Sequence, residues 1–181
     1  MNDGVELREG GRAELPQLSV LATHVFVHTY CAGGLRPDQA REALHEYSVA
    51  EFERRLASGH RFTLACRGEH LLGFADTVMP VMPASVPVAA VAGCLELARL
   101  YVDPAAQARG VGRMLLRHAA SLAATAGCPG LWLTAWVENT KARAFYAAEG
   151  FVDVGRCDYV FEDRAYENCI YLRRGVAHAA S

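Results

Sequence analysis

Two glycines, one residue apart, stand where a strand-like stretch of the chain gives way to a helix-like one. They are Gly110 and Gly112 in DPAAQARGVGRMLLRH, residues 103 to 118. The first N–H groups of a helix have no intrahelical partners and lie at the positive end of the helix dipole, so they bind anions. Glycine lets a phosphate approach this backbone, and Arg109 and Arg113 add positive charge. The junction predicts a phosphate site; the alternative is a tight turn whose glycines serve only the chain's geometry.

Two other phosphate-binding patterns do not fit this junction. The dinucleotide fingerprint requires glycine or alanine three residues after its second glycine, and Leu115 occupies that position. The P-loop requires G-x-x-x-x-G-K-[ST], which the chain lacks. Neither pattern accounts for the two glycines.

A family signature does fit. The segment CLELARLYVDPAAQARGVGRMLL resembles the acetyl-CoA-binding signature of the GNAT superfamily of N-acetyltransferases, whose core [QR]-x-x-G-x-[GA] is QARGVG here. Further along, ENTKARAFYAAEGFVDVG is similar to the family's N-x-x-A-x-x-F/L-Y-x-x-x-G-F segment. The matching residues are Asn139, Ala142, Phe145, Tyr146, Gly150 and Phe151. Two motifs in the right order are more specific than either alone, and together they cover roughly residues 94 to 155.

The resemblance implies acetyl-CoA as the acetyl donor and no metal. The coenzyme pyrophosphate would lie on the backbone amides of a seven-residue segment, which comprises Gln107, Ala108, Arg109, Gly110, Val111, Gly112 and Arg113. The strand before it would splay from its neighbour and bind the pantetheine arm like an added strand, through Leu100, Tyr101 and Val102. Asn139 would contact the pantetheine or cap the last core helix.

Attack of an amine on the thioester makes three demands. An amine with a pKa near about 10 must lose a proton, the developing oxyanion needs a donor, and the leaving thiolate needs a proton. Tyr146 matches the family tyrosine that faces the coenzyme sulfur, and a phenol holds its proton at neutral pH. We therefore expect Tyr146 to be the acid; the alternative is a core aromatic packed beside Phe145.

Glu96 is the expected base, because some relatives carry a glutamate at this position of the strand. Regular alternation would place it on the face of Ala98, Leu100 and Val102, among apolar neighbours that make a carboxylate a stronger base. A bulge in the strand would change that face. The alternative is a structural charge paired with Arg99 or another cation.

A covalent acetyl-cysteine is the other conceivable mechanism. Cys66 and Cys94 are the candidates, but the sequence places no histidine to activate either one. Direct transfer from coenzyme to amine is therefore the expected route.

The elements that must position these residues follow from periodicity and breakers. We expect a strand in VELREG, a helix from Arg12 to Cys31, a helical stretch from Pro37 to Gly59 with a break near Tyr47, and a hairpin from His60 to Met79. Residues 80 to 93 contain three prolines and predict a loop rather than a strand or helix. Strands in CLELARLYV and GLWLTAWV then flank a helix, and a short helix precedes a final hairpin.

This order is compatible with the GNAT fold and predicts one α/β (α+β) domain over residues 1–181. The expected architecture is a mixed, mostly antiparallel central sheet of about seven strands flanked by about four helices.

Composition excludes several classes of protein. A net charge of -2 with no Lys/Arg-rich stretch argues against nucleic acid, and no apolar run is long enough to span a membrane. The polar start is unlike a signal peptide, so we expect a cytoplasmic protein. The six cysteines form no C-x-x-C pair, and His24, His28 and Cys31 on one helix face have no further ligand beside them in sequence, so no metal is expected.

The acceptor is less well indicated. By the resemblance, the first helices and last hairpin would hold it, with an aromatic set that comprises Phe26, Tyr30, Tyr47, Tyr159 and Tyr166. The segment from residue 149 to 168 contains six acidic residues and two arginines. These acids are Glu149, Asp153, Asp158, Glu162, Asp163 and Glu167. A cationic small molecule such as a polyamine or an aminoglycoside is expected, with a lysine side chain, a protein N-terminus or an amino acid as alternatives. The alternative for the acids themselves is a solvated hairpin that binds no acceptor.

Two further alternatives concern the whole chain. A GNAT-like domain could bind the coenzyme as a regulatory module without transferring acetyl groups, or a protein of similar topology could bind no coenzyme. The resemblance also makes the last hairpin a candidate homodimer interface.

Overall fold

The computed structural model describes residues 4–79, 86 and 88–175. The helices are α1 (Leu15–Tyr30), α2 (Pro37–Glu46), α3 (Val49–Ala57), α4 (Val88–Val91), α5 (Val111–Thr125) and α6 (Thr140–Ala148). The strands are β1 (Glu6–Gly10), β2 (Arg61–Arg67), β3 (His70–Val78), β4 (Leu95–Val102), β5 (Gly130–Trp136), β6 (Val152–Phe161) and β7 (Arg164–Arg174). Hydrogen-bonded neighbours follow the order β1-β2-β3-β4-β5-β7-β6. None of the helices in the described ranges is long and apolar enough to cross a bilayer.

The predicted fold class is confirmed: the seven-stranded sheet is mixed, since β4 and β5 are parallel whereas β1–β2, β2–β3, β5–β7 and β6–β7 are antiparallel. The helix count differs from the expectation of about four. The stretch from Pro37 to Gly59 divides because Ser48 is extended, with φ -65° and ψ 152°, and its hydroxyl accepts the Glu51 N–H at 3.2 Å. A serine cap of this kind starts a new helix.

The segment from 80 to 93 also departs from the prediction. Residues 80–85 and 87 lie outside the described residues, but Val88–Val91 forms a single helical turn. A helix in this segment was not expected because of Pro80, Pro83 and Pro87. The turn begins after the last proline, and proline disrupts a helix only when it lies within one.

The chain forms two compact units, and the division passes through β4 and α5. The first unit comprises Met1–Thr77 with Arg99–Leu116, and the second comprises Val78–Ala98 with Arg117–Ser181.

The core of the first unit lies between α1, α3 and the sheet. Helix α1 buries apolar residues that recur at helical spacing, namely Leu15, Leu18, Leu21, Ala22, Val25 and Phe26. Phe52, Phe62 and Phe74 contact one another edge to face, with ring centroids 5.5 to 6.4 Å apart. All three are fully buried, and such pairs add about 0.5–1.5 kcal/mol each beyond the area they bury.

The second unit buries a separate apolar cluster. Trp132, Ile170 and Leu172 lie on adjacent strands and pack with Val91 and Cys94. Trp132 is 1% exposed, and its indole N–H has no hydrogen-bond partner among the residues that the structure describes.

The pairing of β4 changes along its length. Its register with β5 consists of Leu95 opposite Leu131 and Glu96 opposite Trp132. At its other end, just past the strand, the Asp103 N–H donates to the Leu72 carbonyl in β3 at 2.9 Å. Within the described residues, the β5 pairing therefore uses only the start of β4.

Candidate active site

The loop before α5 has the geometry of an anion site. The Asp103 carboxylate accepts the Ala105 N–H at 2.7 Å and starts a short 3-10 turn. Gly110 has a φ of 83°, in the left-handed region that glycine adopts without a Cβ penalty. The first helical hydrogen bond runs from the Met114 N–H to the Gly110 carbonyl at 3.0 Å. The N–H groups of Val111, Gly112 and Arg113 therefore precede the helical ladder, as an anion site requires.

Other residues of the predicted pyrophosphate segment lie beside this helix start. Arg109 and Arg113 are exposed, and so is Ala108, which has a positive φ of 60°. The Gln107 amide donates to the Val102 carbonyl at 3.3 Å. Gln107 thus ties the loop to the end of β4.

Tyr101 points its side chain into the core. Its ring lies 5.6 Å from the Phe74 ring, and its hydroxyl is 3.0 Å from the Tyr47 hydroxyl. Any contact of Tyr101 with a coenzyme would therefore come from its backbone. Leu100 and Val102, its neighbours in the predicted pantetheine strand, are half-buried.

Asn139 is the N-cap of α6. Its side-chain oxygen accepts the Ala142 N–H at 3.1 Å. The capping role that the sequence left open is therefore present. The amide nitrogen is the other group through which Asn139 could contact a pantetheine.

A matched pair of variants separates the two roles of Asn139. Ser48 caps α3 in the same way, so Asn139→Ala and Ser48→Ala should each lower the free energy of unfolding by about 1 kcal/mol. If Asn139 also binds pantetheine, only Asn139→Ala should weaken acetyl-CoA binding, by about 5-fold for one lost hydrogen bond. Denaturant unfolding and calorimetric titration measure the two effects. Equal acetyl-CoA affinities in both variants would leave Asn139 with the cap alone.

Tyr146 is held by the end of α6. The Phe151 N–H donates to the Tyr146 carbonyl at 3.0 Å, the Gly150 N–H donates to the Ala147 carbonyl at 3.1 Å, and Gly150 has a φ of 82°. This is a Schellman closure, and it brings the Phe151 and Tyr146 rings to 5.8 Å. Tyr146 is 8% exposed, and its ring also contacts Tyr171. The spacing Y-x-x-x-G-F thus fixes the orientation of this tyrosine.

Glu96 lies in the first part of β4, opposite Trp132. It is half-buried between the buried Leu95 and Leu97, so the predicted alternation holds here. The pKa of the Cys157 thiol is raised by burial first, and then by the charges of Asp158 and Glu96.

The predicted site residues divide between the units. Leu100 to Val102 and Gln107 to Arg113 belong to the first unit, whereas Glu96, Asn139 and Tyr146 belong to the second.

The predicted acceptor residues do not all face solvent. Phe26 and Tyr47 are 4% and 6% exposed, and their rings contact each other within the core. Their assignment to an acceptor surface is therefore wrong, because a buried ring cannot meet a substrate. Tyr159 is 40% exposed and pairs with Tyr166 across the last hairpin.

A buried ionic network in the first unit was not predicted. Arg99 donates to the Asp76 carboxylate at 3.1 Å, and His60 lies 2.7 Å from the other Asp76 oxygen. Arg55 is 2.7 Å from Glu46. Burial alone would lower the pKa of Arg99, but the neighbouring tyrosines and carboxylates raise it. The signal available in the sequence was an aspartate within the otherwise apolar strand LLGFADTVM.

Known proteins resemble this chain in sequence and in fold. The peptidyl-lysine N-acetyltransferase YjaB of Salmonella typhimurium is 39% identical over 59 residues, 33% of this chain and 37% of that protein, so the match spans about a third of each. The ribosomal protein bS18-alanine N-acetyltransferase of the same species is 33% identical over 107 residues, 59% of this chain and 72% of that protein.

A solved structure matches over nearly the whole chain. It is the PaiA N-acetyltransferase of Thermoplasma acidophilum in complex with coenzyme A, with a TM-score of 0.75 and 21% identity over 94% of this chain and 99% of that one. The likeness establishes the fold. The sequence model of the acetyltransferase (GNAT) family matches residues 31–151. Since that match covers more than half of the residues, the chain belongs to the GNAT acetyltransferase family.

Proposed function

We propose that this protein transfers the acetyl group of acetyl-CoA to a primary amine by direct attack. The observation that carries the proposal is the loop before α5, where N–H groups that precede the helical ladder follow the left-handed Gly110 within the family match. Residues Gln107 to Arg113 would hold the pyrophosphate there. The coenzyme acts as co-substrate, and no residue assigned here requires a metal.

Two protein side chains would carry out the proton transfers of the reaction. The amine nitrogen attacks the thioester carbonyl carbon, the C–S bond breaks, and the coenzyme leaves as a thiolate. Glu96 takes the amine proton directly or through water, and Tyr146 gives its phenolic proton to the sulfur. A backbone N–H of β4 would stabilise the oxyanion.

A cysteine intermediate is disfavoured by burial. Cys66 and Cys94 are 4% and 0% exposed, and burial raises the pKa of Cys94. A buried thiol is a poor nucleophile because the thiolate is the reactive form. Direct transfer needs neither residue.

Replacement of Glu96 tests its role as the base. We expect Glu96→Gln to lower kcat/KM by about 100-fold at neutral pH. Without the base, the reaction depends on free amine in solution, so the activity of the variant should rise about tenfold per pH unit below the amine's pKa of about 10. Glu9→Gln removes an exposed acid in β1, outside the residues proposed to bind coenzyme or acceptor, and is the control. A pH–rate profile for Glu96→Gln that runs parallel to that of the parent would exclude Glu96 as the base.

Two classes of acceptor have separate support. The acidic last hairpin favours a cationic small molecule such as a polyamine. The relatives in Salmonella are named for peptidyl-lysine and for the alanine of a ribosomal protein, which favours a protein acceptor. Release of free thiol from acetyl-CoA should be measured with spermidine, with a lysine-containing peptide blocked at its N-terminus, and with a peptide that begins with alanine. Turnover with any of these acceptors supports the proposed acetyl transfer. Coenzyme binding without turnover across a broad panel of amines would favour a regulatory module.

Location and assembly are also inferred. We infer a single working domain, because the family match covers parts of both units. All six cysteines are free thiols, which suits the reducing cytoplasm. The edge strand β6 exposes Val152 and Val160 and is the expected contact of a homodimer, which sedimentation would detect.

A further inference from the structure

The buried network around Arg99 joins β4 to the rest of the first unit. The Arg99 guanidinium is 3.1 Å from Asp76 in β3 and 3.7 Å from Glu46 at the end of α2. The side chain of Asp76 is fully buried, and that of Arg99 is 18% exposed. Asp76 in turn contacts His60, just before β2. Arg99 in β4 thus contacts two other elements, β3 and α2, and Asp76 extends the network to the residue before β2.

A second contact lies two residues further along the strand. The Tyr101 hydroxyl is 3.0 Å from the hydroxyl of Tyr47, the residue that follows α2. The pKa of Tyr47 is raised well above its ordinary value by burial and by Tyr101, so this hydroxyl keeps its proton at neutral pH. Since side chains alternate along a strand, Arg99 and Tyr101 share one face of β4.

Stability alone does not explain such a network. A buried ion pair is commonly no more stabilising than apolar residues of the same size, because desolvation offsets the attraction. The network instead provides orientation. A guanidinium that contacts two carboxylates holds the strand that bears it at one rotation about the strand axis. In β4 this matters because, in the part of the chain that the structure describes, the β5 pairing uses only Leu95 and Glu96.

The backbones of β3 and β4 also lie close together at Gly73. A Cβ added to Gly73 would lie 2.7 Å from the Tyr101 carbonyl oxygen, so no larger residue fits without moving one of the strands. The backbone of β4 is thus fixed by β3 on one edge and by Arg99 and Tyr101 on one face.

We infer that Arg99, with Asp76 and Glu46, and the Tyr47–Tyr101 pair are positioning residues that orient the backbone of β4 for the pantetheine arm of acetyl-CoA. The inference rests on the proposed function. Added-strand binding depends on the direction of backbone N–H and C=O groups, so a rotated strand loses affinity for pantetheine. The phosphate site at the start of α5 uses N–H groups outside β4, and the Gln107 amide ties its loop to the Val102 carbonyl, so a rotated strand should affect phosphate binding less than pantetheine binding.

The test compares two ligands by calorimetric titration. Acetyl-CoA contains pantetheine, whereas 3′-phospho-ADP contains only the nucleotide part of the coenzyme. Arg99→Met should weaken acetyl-CoA binding at least about 10-fold, because it removes the oriented contacts of a charged group. The same variant should change 3′-phospho-ADP binding less than about 2-fold. Equal losses for both ligands, or no loss for either, would overturn the inference.

Further variants keep the test decisive. Arg156→Met, at an exposed arginine 2.6 Å from Asp153, is the control and should change neither affinity. Arg99→Lys should restore part of the acetyl-CoA affinity. If Arg99→Met does not fold, Tyr101→Phe removes only a hydroxyl and should weaken acetyl-CoA alone, by about 3-fold. Failure of the parent to bind acetyl-CoA would overturn the proposed function as well. If the parent binds acetyl-CoA but Arg99→Met weakens both ligands equally or neither of them, only the positioning role is overturned.

Discussion

Gly112→Glu should abolish measurable acetyl-CoA binding while the protein remains folded. Gly112 is the second residue of α5, so the new carboxylate would lie among the N–H groups proposed to receive the pyrophosphate. Like charges brought together in a binding site cost several kcal/mol, so we expect the dissociation constant to rise at least about 100-fold. Calorimetric titration with acetyl-CoA measures it.

The fold should tolerate this change. Glutamate in the first turn of a helix interacts favourably with the helix dipole, and glycine is a poor helix former, so stability should be equal or higher. Ser121→Glu, at an exposed position further along α5, is the matched control and should bind like the parent. Undiminished binding in Gly112→Glu would show that the coenzyme phosphates lie elsewhere.

Tyr146→Phe should lower the rate of the chemical step by about 100-fold with acetyl-CoA affinity unchanged. The substitution removes only the hydroxyl, so the ring contacts with Phe145, Phe151 and Tyr171 remain. The loss follows because the thiolate must then leave without a positioned acid. Single-turnover measurement is required, since product release limits many enzymes and would hide the effect.

The control for this variant is the neighbouring tyrosine. Tyr171 accepts a hydrogen bond from Arg143 at 3.2 Å, so Tyr171→Phe should lower stability by about 1 kcal/mol without a comparable loss of rate. A single-turnover rate in Tyr146→Phe within about 2-fold of the parent would make Tyr146 a packing residue and remove it from the mechanism.

The elements that local rules govern were predictable from sequence. The left-handed Gly110, the Asn139 cap and the closure at Gly150 each depend on residues within a few positions of one another. Turn and cap chemistry is local, so a pattern of a few letters specifies it. For the same reason the order of strands and helices was largely correct.

Contacts between distant segments were not predictable. Arg99 with Asp76, and Tyr47 with Tyr101, join residues 23 and 54 positions apart. No local pattern indicates which buried polar groups will meet, so Tyr47 was assigned to an acceptor surface although its ring lies in the core. Conversely, the family motifs indicated Glu96 and Tyr146 but not the network that accompanies β4.

The most direct test of the proposed function is the thermal midpoint of the parent protein with and without acetyl-CoA. A ligand at about 100 times its dissociation constant stabilises the folded state by about 2.7 kcal/mol, which for a chain of this size is a rise of about 5–10 °C. We predict that rise. An unchanged midpoint in a folded protein at millimolar acetyl-CoA would mean that the loop before α5 is only a turn, and would contradict the proposed acetyltransferase.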